Sequence, residues 1–196
     1  MTSYESFVTL LTHADPSTRS AALDSLRVVA EMAPAESRLL ILKQEGMLGA
    51  LQQFIEPHSV QETGEAAIYL LWQLTGQEDV HSLSDAEITC KRCVFGSPLF
   101  PLIVQATTVH RKASHVICRL SVGNALCKEL FEFPGVTEAL TRGLNTNDED
   151  IQMSCITTVS NITIVHVFDL NDFPELISGI VEKVTAQRMD QVFRCK

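Results

Sequence analysis

The stretch from Lys112 to Thr163, KASHVICRLSVGNALCKELFEFPGVTEALTRGLNTNDEDIQMSCITTVSNIT, contains one complete copy of a unit that recurs along the chain. Three apolar segments with helical periodicity are separated by two kinds of break. The tripeptide Phe133–Gly135 ends one short helix and precedes the next, because proline and glycine interrupt helices. The polar turn Asn145–Asp148 offers Asn and Asp side chains that can cap the following helix. This order of segments predicts a repeated helical unit.

Length and composition indicate a single globular domain over residues 1–196. The chain has 45% apolar and 20% charged residues, which favours a substantial core and excludes a disordered protein. Its longest apolar runs are too short to span a membrane, and we see no basic-then-apolar signal segment. Several of the six cysteines lie in apolar helical patterns, where free cysteine packs as a small hydrophobe. We therefore expect a reducing compartment, the cytoplasm, with the nucleus as the alternative.

The charge pattern bears on the class of partner. A net charge of −9 argues against nucleic-acid binding, which requires clustered Lys and Arg. We expect the partner to be another protein, and charge attraction would favour a basic segment of it. The acidic run Asp148–Asp150 precedes a predicted helix, where it stabilises the positive end of the helix dipole. A docking site for a basic peptide is the alternative function of this run.

A small residue recurs at one position of the long predicted helices. Ala22, Ala67, Ala113 and Cys155 are separated by 45, 46 and 42 residues. Periods of this length, with two or three helices in each, are typical of helical solenoids. No segment of useful length shows the alternation of a strand, so the predicted class is all-α. The predicted units cover residues 4–34, 37–77, 85–123 and 124–165, with a partial unit at 166–193.

Apolar periodicity and breaker residues predict the helix boundaries. Ten helices are predicted with the following bounds: Tyr4–His13, Thr18–Met32, Ser37–Gln44, Met47–Ile55, Gln61–Thr75, Asp85–Phe95, Leu99–Thr107, Arg111–Val122, Phe173–Val184 and Ala186–Phe193. Equivalent apolar positions on the long helices are expected to face the core. These positions are Ala22, Leu26 and Val29; Ala67, Leu71 and Leu74; Ala113, Ile117 and Leu120; and Cys155, Val159 and Ile162.

The units resemble armadillo repeats over nearly the whole chain. Two passages, Leu39–Leu51 (LLILKQEGMLGAL) and Leu126–Leu140 (LCKELFEFPGVTEAL), are similar to the family's first helix, glycine and second helix. Thr158–Thr163 (TVSNIT) is similar to the end of its third helix. The resemblance implies a right-handed α-solenoid of four to five repeats. HEAT-like pairs of helices are the alternative, and the third short helix in each unit disfavours them.

In armadillo proteins the third helices line a concave groove that holds extended peptides, and this role is implied here by resemblance. The family's groove asparagine falls at Val28, Gln73, Arg119 and Asn161, and only Asn161 matches. The position of its groove tryptophan reads Asp24, Tyr69, His115 and Thr157. The departure argues against peptide recognition of the nuclear-import type, but it leaves a groove with different side chains.

The candidate partner-binding set combines these positions with the nearby tryptophan. Aromatic and arginine side chains are typical interface hot spots, and a side-chain amide can pair with a peptide backbone. The alternative is that the aromatic residues simply pack between repeats, as large aromatic residues commonly do. The candidate groove residues are Tyr69, Trp72, Gln73, His115, Arg119 and Asn161.

One motif suggests a different chemistry. Cys90 and Cys93 form a C-x-x-C pair, which is found in zinc sites and in thiol redox centres. No second pair follows at zinc-finger spacing, and the strand–helix context of a redox pair is missing. We therefore predict two helix cysteines, with Cys93 facing the core. Because no nucleophile, histidine and carboxylate form a catalytic pattern, we predict neither an enzyme nor a cofactor or metal.

Three functions remain as hypotheses. The leading one is a non-enzymatic interaction module, scaffold or adaptor that binds a segment of another protein along the groove. The alternative is a co-chaperone-like regulator that clasps a folded domain. The third is a zinc-dependent or thiol-dependent activity at the C-x-x-C pair. Apolar residues in the first and last units also predict self-association if the solenoid ends lack polar caps.

Overall fold

The computed structural model of the chain describes residues 4–55, 61–76, 83–123, 125–164, 174–182 and 185. All regular secondary structure in these residues is α-helical, and none of the described helices is long and apolar enough to cross a membrane. The helices are α1 (Glu5–Leu11), α2 (Pro16–Met32), α3 (Ala35–Lys43), α4 (Met47–Ile55), α5 (Gln61–Leu74), α6 (Asp85–Phe95), α7 (Phe100–Ala106), α8 (Arg111–Ser121), α9 (Cys127–Glu132), α10 (Val136–Leu144), α11 (Glu149–Ile164) and α12 (residues 174–182).

The observed helix boundaries agree closely with the predicted ones. Helices α4 and α6 begin and end at the predicted residues, and the ends of α1, α2, α3, α5, α7 and α8 differ by no more than two residues. The all-α prediction is confirmed over the described residues. The predicted helix Ala186–Phe193 and both ends of the predicted helix Phe173–Val184 lie outside the described residues.

Side-chain caps explain why two of the helices, α2 and α6, start where they do. Asp15 precedes Pro16 and accepts a hydrogen bond from the backbone N–H of Thr18 at 2.8 Å. Ser84 and Glu87 form a capping box at the start of α6. These side chains satisfy backbone N–H groups that have no partner within the helix.

Two glycines make equivalent turns, one in front of α4 and one in front of α10. Gly46 precedes α4 with φ +79°, and Gly135 precedes α10 with φ +89°. Glycine adopts this left-handed conformation readily because it has no Cβ. The same backbone turn therefore recurs at the glycine of the two passages Leu39–Leu51 and Leu126–Leu140.

The long helices pack in chain order. Helix α2 contacts α5, α5 contacts α8, and α8 contacts α11. The shorter helices flank this series, with α1 on α4, α4 on α5, α7 on α8 and α10, and α10 on α11. The predicted core positions of α5, α8 and α11 are all buried, and one apolar cluster extends from α1 to α12. Burial of this shared core is the main stabilising term, since the apolar face of each helix is covered by its neighbours.

The prediction for α2 was wrong at one residue. Val29 is 38% exposed, whereas Ala30 is 1% exposed and belongs to the core. Helix α2 packs against α1 and α5, and the arc of the helix that faces them runs through Leu26 and Ala30. Val29 lies at the edge of that arc, although it follows Ala22 by the same seven residues that separate Ala67 from Leu74.

A buried lysine joins two helices. Lys91 of α6 is 0% exposed, and its Nζ donates a hydrogen bond to the carbonyl oxygen of Val122 at 2.9 Å, just after the end of α8. Burial lowers the pKa of the Lys91 ammonium from 10.5 to about 8, although nearby Glu87 opposes the shift. The folded protein therefore releases this proton at a lower pH than the unfolded chain does.

Lys91 should make stability depend on pH. Between about pH 8 and pH 10.5 the unfolded chain keeps the Lys91 proton while the folded protein has lost it, so the free energy of unfolding rises with pH. The rise from this residue should total about 3 kcal/mol. Urea unfolding measures this effect in the wild type and in Lys91→Met. We expect the free energy of unfolding of the wild type, minus that of Lys91→Met, to increase with pH across this window. A constant difference would contradict the account, because groups other than Lys91 are common to both proteins.

Candidate functional site

One face of α8 lies against the tryptophan of α5. Lys112, His115 and Arg119 are spaced by three and four residues, so they occupy one side of the helix. The charged groups of Lys112 (Nζ) and Arg119 (Cζ) lie 3.9 Å and 3.6 Å from the centre of the Trp72 ring. The His115 ring centre is 6.5 Å from that of Trp72. Helical periodicity therefore brings two cations and an imidazole to a single aromatic side chain.

Tyr69 extends this arrangement toward α2. It lies one turn before Trp72, and the two ring centres are 5.2 Å apart. The Arg27 Cζ atom of α2 and the Lys112 Nζ atom are each 5.3 Å from the Tyr69 ring centre. Cations at such distances are attracted to the negative face of an aromatic ring. We call the whole set the cation–aromatic cluster, and its members are Arg27, Tyr69, Trp72, Lys112, His115 and Arg119.

Arg119 and Gln73 lie beneath the surface of this cluster. Arg119 is 8% exposed, and its Nη1 donates to the backbone carbonyl of Trp72 at 2.5 Å, which ties α8 to α5. Gln73 is 7% exposed. Tyr69, Trp72 and His115 are half-buried and so reach solvent in part. The predicted set is thus divided into side chains that support the surface and side chains that form it.

Among the described residues, the buried side-chain atoms without a hydrogen-bond partner include Nε1 of Trp72 and Oε1 of Gln73, both at the α5–α8 junction. An unsatisfied buried polar group is costly, and in native proteins such groups concentrate where a function requires them. This feature distinguishes the α5–α8 junction from the apolar core around it.

Asn161 lies beside the cluster on α11. It is half-buried, and its Nδ2 donates to Oγ of Ser121 on α8 at 3.0 Å. Ser121 follows Arg119 by two residues at the end of the same helix. The structure therefore brings Tyr69, Trp72, His115 and Arg119 into direct contact, and it places Asn161 on the next helix of the series.

Two cavities open on either side of Tyr69. One has a volume of about 220 Å³ and the other of about 480 Å³. The smaller cavity is lined by Ala30, Glu31, Arg38, Tyr69, Trp72, Gln73, Gly76 and Arg119, and the larger by Arg27, Glu65, Ala66, Tyr69, Val109, His110, Arg111, Lys112 and Asp148. Together they form a depression that crosses α2, α5 and α8.

Arg27 and Lys112 belong to this surface, although our sequence reasoning did not select them. For Lys112 a signal was present, since it precedes His115 by three residues on the same helical face. Arg27 is adjacent to the mapped position Val28, and only the approach of α2 to α5 reveals its contact with Tyr69.

The acidic run Asp148–Asp150 interacts with the start of its own helix, α11. Oδ1 of Asp148 accepts hydrogen bonds from the backbone N–H groups of Asp150 and Ile151 at 3.0 Å and 3.3 Å. Arg111 pairs with Asp148 at 2.7 Å and with Asp150 at 2.9 Å. The hydrogen bond from Arg111 lowers the pKa of the Asp148 carboxyl, and the same contact raises the pKa of Arg111. The run therefore forms hydrogen bonds with the start of α11 and ion pairs with Arg111.

The environment of the C-x-x-C pair disfavours the reactive thiolate form of both cysteines. Both are cysteines of helix α6: Cys93 is half-buried and packs against the apolar core, as predicted, and Cys90 is 0% exposed and more deeply buried. Cys90 lies on the arc of α6 that contains the buried residues Lys91 and Val94. Burial raises the pKa of the Cys90 thiol to about 11, and it also raises the pKa of Cys93. Within the described ranges, no three His, Cys, Asp or Glu residues are grouped to hold a metal ion.

No protein-family model matches this sequence, and no curated protein is significantly similar to it. Two crystal structures of engineered proteins, both targets of the Northeast Structural Genomics Consortium, have a similar fold. The first has a TM-score of 0.69 and 20% sequence identity. The similar region covers 91% of this chain and 70% of the engineered protein. The other has a TM-score of 0.68 and 18% identity, covering 91% and 68%. At such identities the similarity concerns the fold alone.

Arg119 should stabilise the fold even without a partner. Arg119→Met removes a charged hydrogen bond to the Trp72 carbonyl and a cation–aromatic contact, while keeping much of the side-chain volume. We expect the free energy of unfolding in urea to fall by about 2 to 4 kcal/mol. Arg92→Met, at an exposed position of α6, is the control and should change it by about 0.5 kcal/mol or less. Equal effects of the two substitutions would contradict this role.

Proposed function

We propose that the protein is a non-enzymatic interaction module built as a right-handed solenoid of four to five armadillo-like repeats. Three complete units would each contain three helices, namely α3–α5, α6–α8 and α9–α11, with partial units at the two ends. The serial packing of α2, α5, α8 and α11 supports this proposal. The short helices α3, α6 and α9, one in front of each pair, favour armadillo-like over HEAT-like units.

The proposed activity is to bind a linear segment of another protein along the third helices of these units. The observation that carries it is the cation–aromatic cluster, in which half-buried aromatic rings lie between two open cavities. Partly exposed tryptophan and tyrosine side chains supply large contact areas at a small cost in conformational entropy. Gln73 and Trp72 add buried polar atoms that a ligand could satisfy.

The size of the groove sets the length of the ligand. Packed helices are about 8 to 10 Å apart, so the path from α2 to α11 covers about 24 to 30 Å. An extended chain advances about 3.3 Å per residue, which corresponds to a segment of about seven to nine residues. A folded domain would instead contact the rims of the depression, and it would gain little from the narrow cavities beside Tyr69.

Selection of random linear peptides on the immobilised protein tests this function. We expect labelled versions of the recovered peptides to bind the wild type and to lose affinity by about tenfold or more on Tyr69→Ala/Asn161→Ala. The control Leu40→Ala/Gln53→Ala changes exposed residues of α3 and α4 and should leave binding unchanged. Circular dichroism should show equal helicity for all three proteins.

Two results would argue against a peptide groove. The first is a selection that yields no peptide, while a folded partner domain binds. The second is a set of peptides whose affinity is the same for the groove variant and for the control variant.

A further inference from the structure

Unsatisfied polar atoms are concentrated at the smaller cavity beside Tyr69. Among the described residues, the buried side-chain atoms without a hydrogen-bond partner include Nε of Arg38, Nε1 of Trp72 and Oε1 of Gln73. All three residues line this cavity, Arg38 from α3 and the other two from α5. Unpaired buried polar atoms destabilise a fold, so their presence around one cavity indicates a ligand that pairs with them.

Two of these side chains are held almost completely inside the protein. Gln73 is 7% exposed and Arg38 is 9% exposed. The Nη2 atom of Arg38 lies 3.6 Å from a carboxylate oxygen of Glu87, which balances the guanidinium charge but does not pair with its Nε. Arg38 therefore offers a hydrogen-bond donor whose charge already has a partner. We expect the cavity to select its ligand by hydrogen bonding and not by net charge.

The unsatisfied atoms include both donors and an acceptor. The N–H groups of Arg38 and Trp72 donate, whereas Oε1 of Gln73 accepts. A ligand carboxylate offers only acceptors and would leave the Gln73 oxygen unpaired. A ligand ammonium offers only donors and would leave both N–H groups unpaired. A primary carboxamide has its carbonyl oxygen and its amino group on separate atoms, so it can satisfy the donors and the acceptor together.

The size and depth of the cavity favour a single side chain as its occupant. Its volume of about 220 Å³ is below the range of about 300 to 1,000 Å³ that is typical of sites for whole small molecules. The unsatisfied atoms are buried in the cavity wall, so a side chain must enter to reach them while the main chain of an extended segment stays outside. The terminal torsion of glutamine is soft, and rotation about it turns the Gln73 oxygen toward a group in the cavity.

We propose that this cavity binds the side-chain carboxamide of an Asn or Gln residue in the bound segment. The ligand carbonyl oxygen accepts hydrogen bonds from Nε1 of Trp72 and Nε of Arg38, and the ligand amino group donates to Oε1 of Gln73. Arg119 holds the backbone of Trp72 in place through its own hydrogen bond to the Trp72 carbonyl. This inference rests on the proposed function and specifies one residue of the partner segment, which is polar and uncharged.

The test uses three short extended peptides that alternate alanine with glutamine, glutamate or lysine. Binding to the full chain is followed by the anisotropy of a label on the peptide. Trp72 is the only tryptophan of the chain, so the NMR resonance of its indole N–H reports on this cavity alone. We expect the glutamine peptide to bind about tenfold or more tightly than the other two, and to shift the indole N–H resonance downfield as Nε1 acquires an acceptor.

A pair of matched variants assigns the effect to the cavity. Gln73→Met removes the acceptor while keeping much of the side-chain volume, and it should remove most of the preference for the glutamine peptide. Gln53→Met, the same substitution at an exposed position of α4, is the control and should retain the preference. Without peptide, Gln73→Met should unfold at a higher urea concentration than the wild type, because it removes an unpaired buried polar group.

Other outcomes overturn the inference in distinguishable ways. If the glutamate or lysine peptide binds as tightly as the glutamine peptide, the carboxamide specificity is wrong while the groove stands. If the glutamine peptide binds Gln73→Met and Gln53→Met equally, the assignment to Gln73 is wrong. Unfolding of Gln73→Met at a lower urea concentration would contradict the premise that the amide oxygen is unpaired. If no peptide binds, the carboxamide specificity is again wrong, and the separate selection of random peptides decides whether the groove itself fails.

Discussion

The contact between Arg119 and Trp72 joins the two central helices of the protein. Its Nη1 donates to the Trp72 carbonyl while its guanidinium lies over the Trp72 ring, so one side chain fixes both the backbone and the aromatic group. Helices α2 and α11 pack against the outer sides of this pair. The orientation of Trp72, and with it the depression beside Tyr69, therefore depends on an arginine that is itself buried.

The distribution of charge follows from this arrangement. A row of cations on α8 can exist close to the core because aromatic rings from α5 receive them, and because Arg111, outside that row, has Asp148 and Asp150 as partners. The same chain buries Lys91 against the Val122 carbonyl, where its pKa falls. Positively charged side chains near α8 thus have two roles. Lys91 and Arg119 hold helices together, and Lys112 faces the depression.

Much of the fold could be predicted from the sequence, because breakers and caps act locally. Gly46, Gly135 and Asp15 mark helix boundaries through backbone conformation and side-chain hydrogen bonds within a few residues. The face that each helix buries is less local. Val29 was expected in the core, but the helices packed against α2 bury its neighbour Ala30 instead.

The candidate site, too, could be predicted only in part from the sequence. Tyr69, Trp72, His115 and Arg119 were selected by resemblance and by residue type, and the structure brings them together. The burial of Arg119 and Gln73 could not be predicted, because it depends on the distance between α5 and α8. Arg27 approaches Tyr69 from another helix, and a pattern within one helix does not contain that contact. Polar residues are therefore the least predictable part, since their roles are decided by their neighbours.

The most direct measurement of the central claim is the position of a bound segment. A photoreactive benzoylphenylalanine is placed at Tyr69 in the depression, or at Gln53 on the exposed face of α4, and each protein is irradiated with a peptide that binds the wild type. Mass spectrometry then identifies the crosslinked residues. The account predicts crosslinking from position 69, with the peptide in an extended register, and none from position 53. Crosslinking from position 53 alone would contradict it.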